Sequence, residues 1–580
     1  MNIRHIDEIE NIDFNKPFAI YQYDEVLSQK PGCVDIRGIV QRETCGWLDD
    51  LQKSHSDISR FFASLTRWWW VTPMSRLDLR PWGQEYVAKP LFFARAIIEW
   101  KRQYPDQEEL QLCGVPSEVV SYLKQCGHSG KIKKKEFLFV NALKLSFLAF
   151  LKMLKQISFF VSQHMFRKHS PVEAETLAFY DITAEDCLEN GHRFYYGKLF
   201  DHIDESKVHF ISVTNNSSPV GCYRKEQCSA THLLFDYISF RDLIAAFLIN
   251  VHIIFGVWVC YWKSFQCNID GVSFKSFWNS YLFHELNRAP CFSGYLAYCS
   301  LKRILKQGNC RKVVYPYEEK GMERAILFSC SEANVKTIGY TPHPQHRLTL
   351  ALRDVYEPIS MKPSLYAVCG DAYIEYFKSW GRKSQSAISL WGSGKSFQEV
   401  GEVKQCFSAS LKVLLLISHP NELKIFKSWL KSEKKMSEGV IYSVRLYKAL
   451  ACKKLALELK FLADEFPCVE ENQNDLNKEL QECDIAAFCG TSAGVVAVKK
   501  GCLAVHVGLD DFFSINPCFD KLEDMLNCQF AKQFADLLRT LRTLDKEAVQ
   551  RLYEKQKFFV DTVFSSIRQE NLQKDIIGQG

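Results

Sequence analysis

The chain has 580 residues yet shows no zinc-spaced cysteine pairs, no internal repeat, no low-complexity tract and no nucleic-acid motif. Its first residues, MNIRHIDEIENIDF, are acidic and lack the apolar core of a secretory leader, so no signal peptide is expected. The 22 cysteines lie scattered in apolar runs (Cys260, Cys267, Cys330, Cys452, Cys489), without tight framework spacing. That argues against a small disulfide-stapled secreted scaffold and for reduced, buried thiols in a cytoplasmic compartment. A net charge of +6 is mild for this length. Basic residues concentrate locally, as from Lys131 to Lys135, so the expected anionic partner is a membrane surface and not nucleic acid.

What is present describes an ordered protein: 47% of residues are hydrophobic and 24% charged. The length exceeds what one core can organise, so two large domains are expected, with an insertion. From Leu365 onward, LYAVCG, LKVLLLIS, VIYSVRLY, IAAFCG and LAVHVG are short apolar strands separated by helical stretches, the pattern of a doubly wound parallel sheet. The prolines of YEPISMKPS mark a linker. The expected division is therefore an α/β domain over 1–360 and a Rossmann-like domain over 361–580 ending in a helical tail. In the first domain, RKVVYPYEEKGMERAILFSC reads as strand, acidic loop and helix, and NVKTIGYTPHPQHRL as a strand and a histidine-bearing loop. The tryptophans Trp68, Trp69 and Trp70 are read as a buried aromatic cluster in preference to a sugar platform.

Apolar insertions are expected near 131–168 and 237–265. In the first, Asn141, Lys144, Lys152, Lys155 and Ser158 share one side of a helical wheel, and Phe147, Phe150, Leu151 and Phe159 crowd the other. Two readings stand: a helix lying in an anionic interface with its lysines reaching outward, or an amphipathic helix docked on the first domain. The second run, Leu243 to Trp262, has the length of a membrane span but is interrupted by Asn250, His252 and Gly256, which favours a buried or membrane-dipping helix.

The most informative stretch is DIAAFCGTSAGVVAVKKGCLAVHV, from Asp484 to Val507: an apolar strand, a short loop, a helix and a second strand. Such a turn presents open backbone N–H groups and a positive dipole end, which suits a phosphate or diphosphate. Gly490 and Gly494 would allow close approach, and Thr491 and Ser492 add hydroxyls. On periodicity alone, a purely structural βαβ turn is the favoured reading, and the surrounding segments shift the balance toward a phosphate loop. The SHPNE loop, Ser418 to Glu422, is read as the cap of the helix that follows, through its Ser or Asn.

Several segments together resemble the GT-B glycosyltransferases, in particular the bacterial surface-carbohydrate (O-antigen type) biosynthesis proteins. They are WWWVTPMSRLDLRP, FYYGKLFDHI, YPYEEKGMERAIL, IGYTPHPQH, CGTSAGVVAVKKGCLAVHV and DDFFSINPCFD, in the expected order. The resemblance implies two Rossmann-like doubly wound domains (GT-B-like) with an apolar helical insertion in the first. It implies a metal-independent transfer of a sugar from a nucleotide-activated donor to a glycan or lipid-linked acceptor, without further cofactor, at the inner face of a membrane. A nucleotide-sugar epimerase of the same plan, or a catalytically idle binding protein, are the alternatives. Glu318, Glu323 and His343 are the implied catalytic residues, with Glu319 and His346 nearby. Gly490, Thr491, Ser492, Gly494 and Lys448 are the implied donor-phosphate residues. The chain departs from the pattern where many relatives carry Lys-Pro-His-Pro: here RLYKALA keeps Lys448 but has Leu450 at the histidine position. Val496 stands where an acidic ribose ligand is common, and Pro342 where the loop histidine is expected.

Overall fold

The computed structural model describes residues 2–6, 12–13, 15–21, 30–71, 88–128, 139–165, 172–181, 195–201, 203, 207–213, 231–262, 268–269, 272–273, 275–286, 292–318, 321–342, 362–374, 386–394, 410–446, 453–471, 476–509, 526–528 and 530–578. His343, His346, Lys448, Leu450, Glu319, the Lys131–Lys135 patch and the YEPIS part of the linker lie outside the described residues.

The chain opens with a small parallel sheet in the order β1-β3-β2, made of β1 (Asn2–Ile6), β2 (Phe18–Ile20) and β3 (Glu109–Cys113). Helices α1 (Ile36–Leu65), α2 (Ala88–Gln103) and α3 (Ser117–Gln125) accompany it. Asp35 starts α1 by accepting the Gly38 N–H at 2.8 Å. Of the expected aromatic cluster, Trp69 is buried and Trp68 half-buried, and the Trp70 side chain lies outside what the structure describes. Trp69 stacks on Phe62 of α1 at 4.1 Å, and Trp68 meets Tyr295 and Tyr298 edge-on.

Helix α4 (Phe139–Gln163) leads into the first large sheet. Its strands are β4 (Thr176–Asp181), β5 (Val208–Val213) and β6 (Thr231–Leu233), then, beyond a long crossover, β9 (Lys312–Pro316), β10 (Lys336–Thr341), β11 (Leu365–Val368) and β12 (Ala387–Leu390). The crossover holds α5 (Phe240–Trp262), a hairpin of β7 (Asn268–Ile269) and β8 (Val272–Ser273), α6 (Lys275–Leu286) and α7 (Phe292–Gln307). Helix α8 (Gly321–Ala333) joins β9 to β10. The order is β12-β11-β10-β9-β4-β5-β6, with every pairing parallel. The chain winds outward from β4 on one side and returns to continue from β9 on the other, so the switch point lies between β4 and β9.

The second large sheet repeats this plan. It is built from β13 (Leu411–Ile417), β14 (Val440–Leu446), β15 (Val469–Glu471), β16 (Ile485–Phe488), β17 (Leu503–Val507) and β18 (Leu526–Cys528), in the parallel order β15-β14-β13-β16-β17-β18. Helices α9 (Pro420–Ser432), α10 (Lys453–Glu465), α11 (Leu476–Glu482) and α12 (Ser492–Lys499) connect the strands. Continuous apolar strands such as LKVLLLI suit a parallel sheet covered on both faces. The expected pair of Rossmann-like units is present.

One boundary needs correction. Leu365–Val368 was expected to open the second domain, yet it pairs with β10, and Ala387–Leu390 pairs with it in turn. Both strands extend the first sheet, because β10 offers an open edge in register and the second sheet starts at Leu411. The tail differs as well. After α13 (Ala531–Arg542), α14 (Lys546–Val563) packs on the second unit, where the Gln556 amide bonds both Ala504 N–H and C=O at 2.9 and 2.8 Å. The chain then crosses back. Ser565 N–H donates to Cys369, Asn571 donates to Leu390 C=O at 2.8 Å, and α15 (Gln569–Ile577) docks on the first unit.

Candidate functional site

In the second unit, the switch point lies between the carboxyl ends of β13 and β16, and two helices begin there. After β16, Thr491 takes an extended conformation and caps α12, its hydroxyl accepting the Ala493 N–H at 3.2 Å. Gly494 N–H turns back to Thr491 C=O at 3.3 Å. The Ser492 N–H and hydroxyl have no hydrogen-bond partner among the described residues and stand at the positive end of the helix. Gly490 and Ser492 therefore lie at the carboxyl end of β16, where α12 begins.

Gly494 has a different role from the expected one. A Cβ there would stand 2.1 Å from the Phe488 ring, so this glycine lets α12 press onto its own strand and does not face a ligand. Val496 is packed against the core, where an acid would be costly.

After β13, the SHPNE loop opens α9. The cap is His419, whose Nδ1 accepts the Asn421 N–H at 3.3 Å, with Pro420 in the first turn. The capping expectation holds, with His419 in place of Ser418 or Asn421. Because Nδ1 accepts, the proton sits on Nε2, which makes that nitrogen a donor. Buried Glu422 receives both the N–H and the hydroxyl of Ser418 at 2.6 Å, so its carboxylate holds the loop closed. The sequence reading gave His419 no site role. A histidine directly after an apolar strand and before a proline was the available signal.

In the first unit, Glu318 follows β9 at the switch point, and Glu323 lies in the first turn of α8. The Glu318 N–H donates to the Glu323 Oε1 at 3.0 Å, and both residues are buried. Glu323 thus serves as an N-terminal anchor of α8 and shapes the turn that carries Glu318. Beside them is an aromatic row that sequence reasoning missed. Tyr196 stacks on Tyr340 at 5.8 Å and Tyr340 on Trp391 at 5.9 Å. Tyr196 hydroxyl donates to Phe179 C=O at 2.6 Å and Tyr340 hydroxyl to Gly392 C=O at 3.0 Å. Burial pushes both phenols well above their ordinary range, so they act as fixed donors and not as acids. Lys198 N–H donates to Gly394 C=O, and a Cβ on Gly394 would fall 1.7 Å from the Tyr196 carbonyl. Residues 195–199 and 391–394 are thereby pinned together, and residues 315–318 and 338–340 meet them at the carboxyl edge of one sheet. The first-unit and second-unit residues each form a local cluster. His343 and Lys448 fall outside the described residues.

No known protein family matches the chain, and no curated protein matches it in sequence. Solved structures similar to it include an α,α-trehalose-phosphate synthase (UDP-forming) from Burkholderia vietnamiensis, with a TM-score of 0.40 and 10% identity over 70% of this chain and 100% of that one. The wall teichoic acid polymerase TagF has a TM-score of 0.38 and 11% identity over 76% of this chain and 97% of its own. The lipopolysaccharide outer core galactosyltransferase WaaB has a TM-score of 0.38 and 9% identity over 70% and 99%. Likeness at this level does not extend to substrate or chemistry.

Proposed function

We propose that this protein transfers a sugar from a nucleotide-activated donor to a glycan or lipid-linked acceptor, in the manner of a metal-independent glycosyltransferase of surface-polysaccharide synthesis. The observation that supports this most is the repeated plan: two sheets of the same winding order, each with functional groups at its switch point, and a tail that crosses between them. Switch-point crevices are where such sheets bind nucleotides.

The donor diphosphate would lie across the N-termini of α9 and α12. There the Ser492 N–H and hydroxyl offer donors for the charge that develops on the leaving phosphate. Gly490 is proposed to allow close backbone approach, and Lys448 to act as a further cation. On the acceptor side, Glu318 is proposed as the base for the incoming hydroxyl, with Glu323 as its positioning residue and the Tyr196–Tyr340–Trp391 row as a rigid support. His343 is the rival base.

The test is incubation of the full chain with a panel of nucleotide sugars, following hydrolysis, epimerisation and thermal stabilisation. Stabilisation by one nucleotide class, weakened by Ser492→Ala, is expected. Epimerised sugar without transfer would replace the reading with an epimerase. Failure of every donor to bind would replace it with a binding protein that has no transferase activity.

A further inference from the structure

Helices α4 and α5 lie antiparallel against each other, and together they leave one apolar face open. Phe139 of α4 meets Trp258 and Trp262 near the end of α5, and Phe150 meets Phe247 nearer its start, at ring separations of 5.4, 6.1 and 5.7 Å. Trp258 Nε1 donates to the Ser146 hydroxyl at 3.1 Å across the seam. The inner faces belong to the fold. Leu145, Ala149 and Met153 of α4 and Ala246, Ile253 and Val257 of α5 are buried in the main core. Gly256 brings α5 so close to α1 that a Cβ would touch Phe62 at 3.0 Å.

Among the described residues, none covers the outer faces. Leu143, Phe147, Leu151 and Leu154 recur at helical spacing along α4, and Phe147 is 62% exposed. Ile244, Leu248, Val251 and Phe255 recur along α5, and Phe255 is 65% exposed. Phe139, Phe150 and Trp262 are also exposed and link the two stripes across the seam. A continuous apolar surface of this kind is unusual on a soluble protein and marks a contact site.

Charge identifies the occupant. Lys144, Lys152 and Lys155 each follow an exposed leucine by one residue, about 100° round the helix, and are themselves exposed. They form a basic rim along one side of the apolar stripe. Helix α4 contains no acidic residue, and the single one in α5, Asp242, is buried and bound by Arg303 at 2.8 Å. An apolar centre and a basic rim, with no exposed acid on either helix, complement an anionic lipid headgroup layer above acyl chains. A second copy would bring the same uncompensated lysines to its rim and is disfavoured.

We propose that the α4–α5 face seats this protein on an anionic bilayer, with both helices lying in the membrane plane and neither crossing it. Crossing would strip the inner faces from the core and break the Asp242–Arg303 pair. The proposal stands on these helices alone and is independent of sugar transfer.

The test uses the full chain in co-sedimentation with phosphatidylcholine vesicles, with and without phosphatidylglycerol. Wild type is expected to bind the anionic vesicles preferentially. Phe147→Glu with Phe255→Glu should reduce binding roughly tenfold or more, because apolar burial is removed and like charge added. Both sites are exposed, so the melting temperature should hold. Replacing Lys144, Lys152 and Lys155 by Gln should abolish the anionic preference while leaving the fold intact. Absence of vesicle binding by wild type, or binding unaffected by either variant, overturns the proposal. So does a wild-type oligomer that the Phe147→Glu, Phe255→Glu variant merely converts to monomer, since the face would then join copies of this chain.

Discussion

Gly494 rests against the ring of Phe488, with room for hydrogen but not for a methyl group. The contact ties the first turn of α12 to the strand it follows, and so sets the height of the Ser492 N–H above the sheet. Gly494→Ala is expected to destabilise the second unit by about 1–3 kcal/mol, the usual range for overpacking a tight core. Chemical denaturation measures it. A variant as stable as wild type would show that α12 shifts freely on β16.

Glu318 and Glu323 should separate by substitution. Glu318→Gln keeps the backbone N–H that Glu323 receives, so the fold should hold, while any sugar transfer falls by about 10²–10⁴-fold, as for loss of a general base. Glu323→Ala should lower stability by about 1–2 kcal/mol through the lost turn contact and reduce transfer only indirectly. Equal activity of Glu318→Gln and wild type would assign the base to His343 or another group.

The tail clamp can be loosened at one point. Trp391 Nε1 donates to the Asp575 carboxylate at 2.8 Å, and the Arg568 N–H donates to the Trp391 carbonyl at 2.9 Å. Trp391→Phe removes the first bond and keeps the second, and should cost about 2 kcal/mol, as for a hydrogen bond to a charged group. Hydrogen exchange should rise in α15 and the end of β12 before it rises in the second sheet. Uniform exchange across both units would mean the tail does not hold locally.

A pH response is expected at the edge of the first sheet. His209 on β5 and His232 on β6 place ring nitrogens 3.2 Å apart. Burial, with His209 beside it, lowers the His232 imidazole to about 4, and burial also lowers His209. The folded state therefore resists protons that the unfolded chain takes up below about 6.5. Stability should be full above that value and decline as pH falls toward 4. His232→Phe should flatten this part of the pH–melting profile, and an unchanged profile would place the dependence elsewhere.

Local sequence determined much of this protein. The apolar runs at Leu411–Ile417 and Ile485–Phe488 could be read as buried parallel strands, and the Gly-Thr-Ser loop as the start of a helix, because each depends on nearest neighbours and periodicity. The apolar helices and the burial of Trp69 were legible for the same reason. Tertiary structure alone decided which sheet received Leu365–Val368, since strands of identical character fit either edge until register with β10 selects one. It alone assigned Gly494 to packing and Glu323 to a turn, because neither a ring at 2.1 Å nor an N–H at 3.0 Å is encoded by spacing. Tyr196, Tyr340 and Trp391 are far apart in the chain and meet only because parallel strands deliver their carboxyl ends to one edge. The shared face of α4 and α5 likewise arises from two segments some hundred residues apart, each apolar on more than its buried side, whose exposed stripes become one surface only when their inner faces enter the same core.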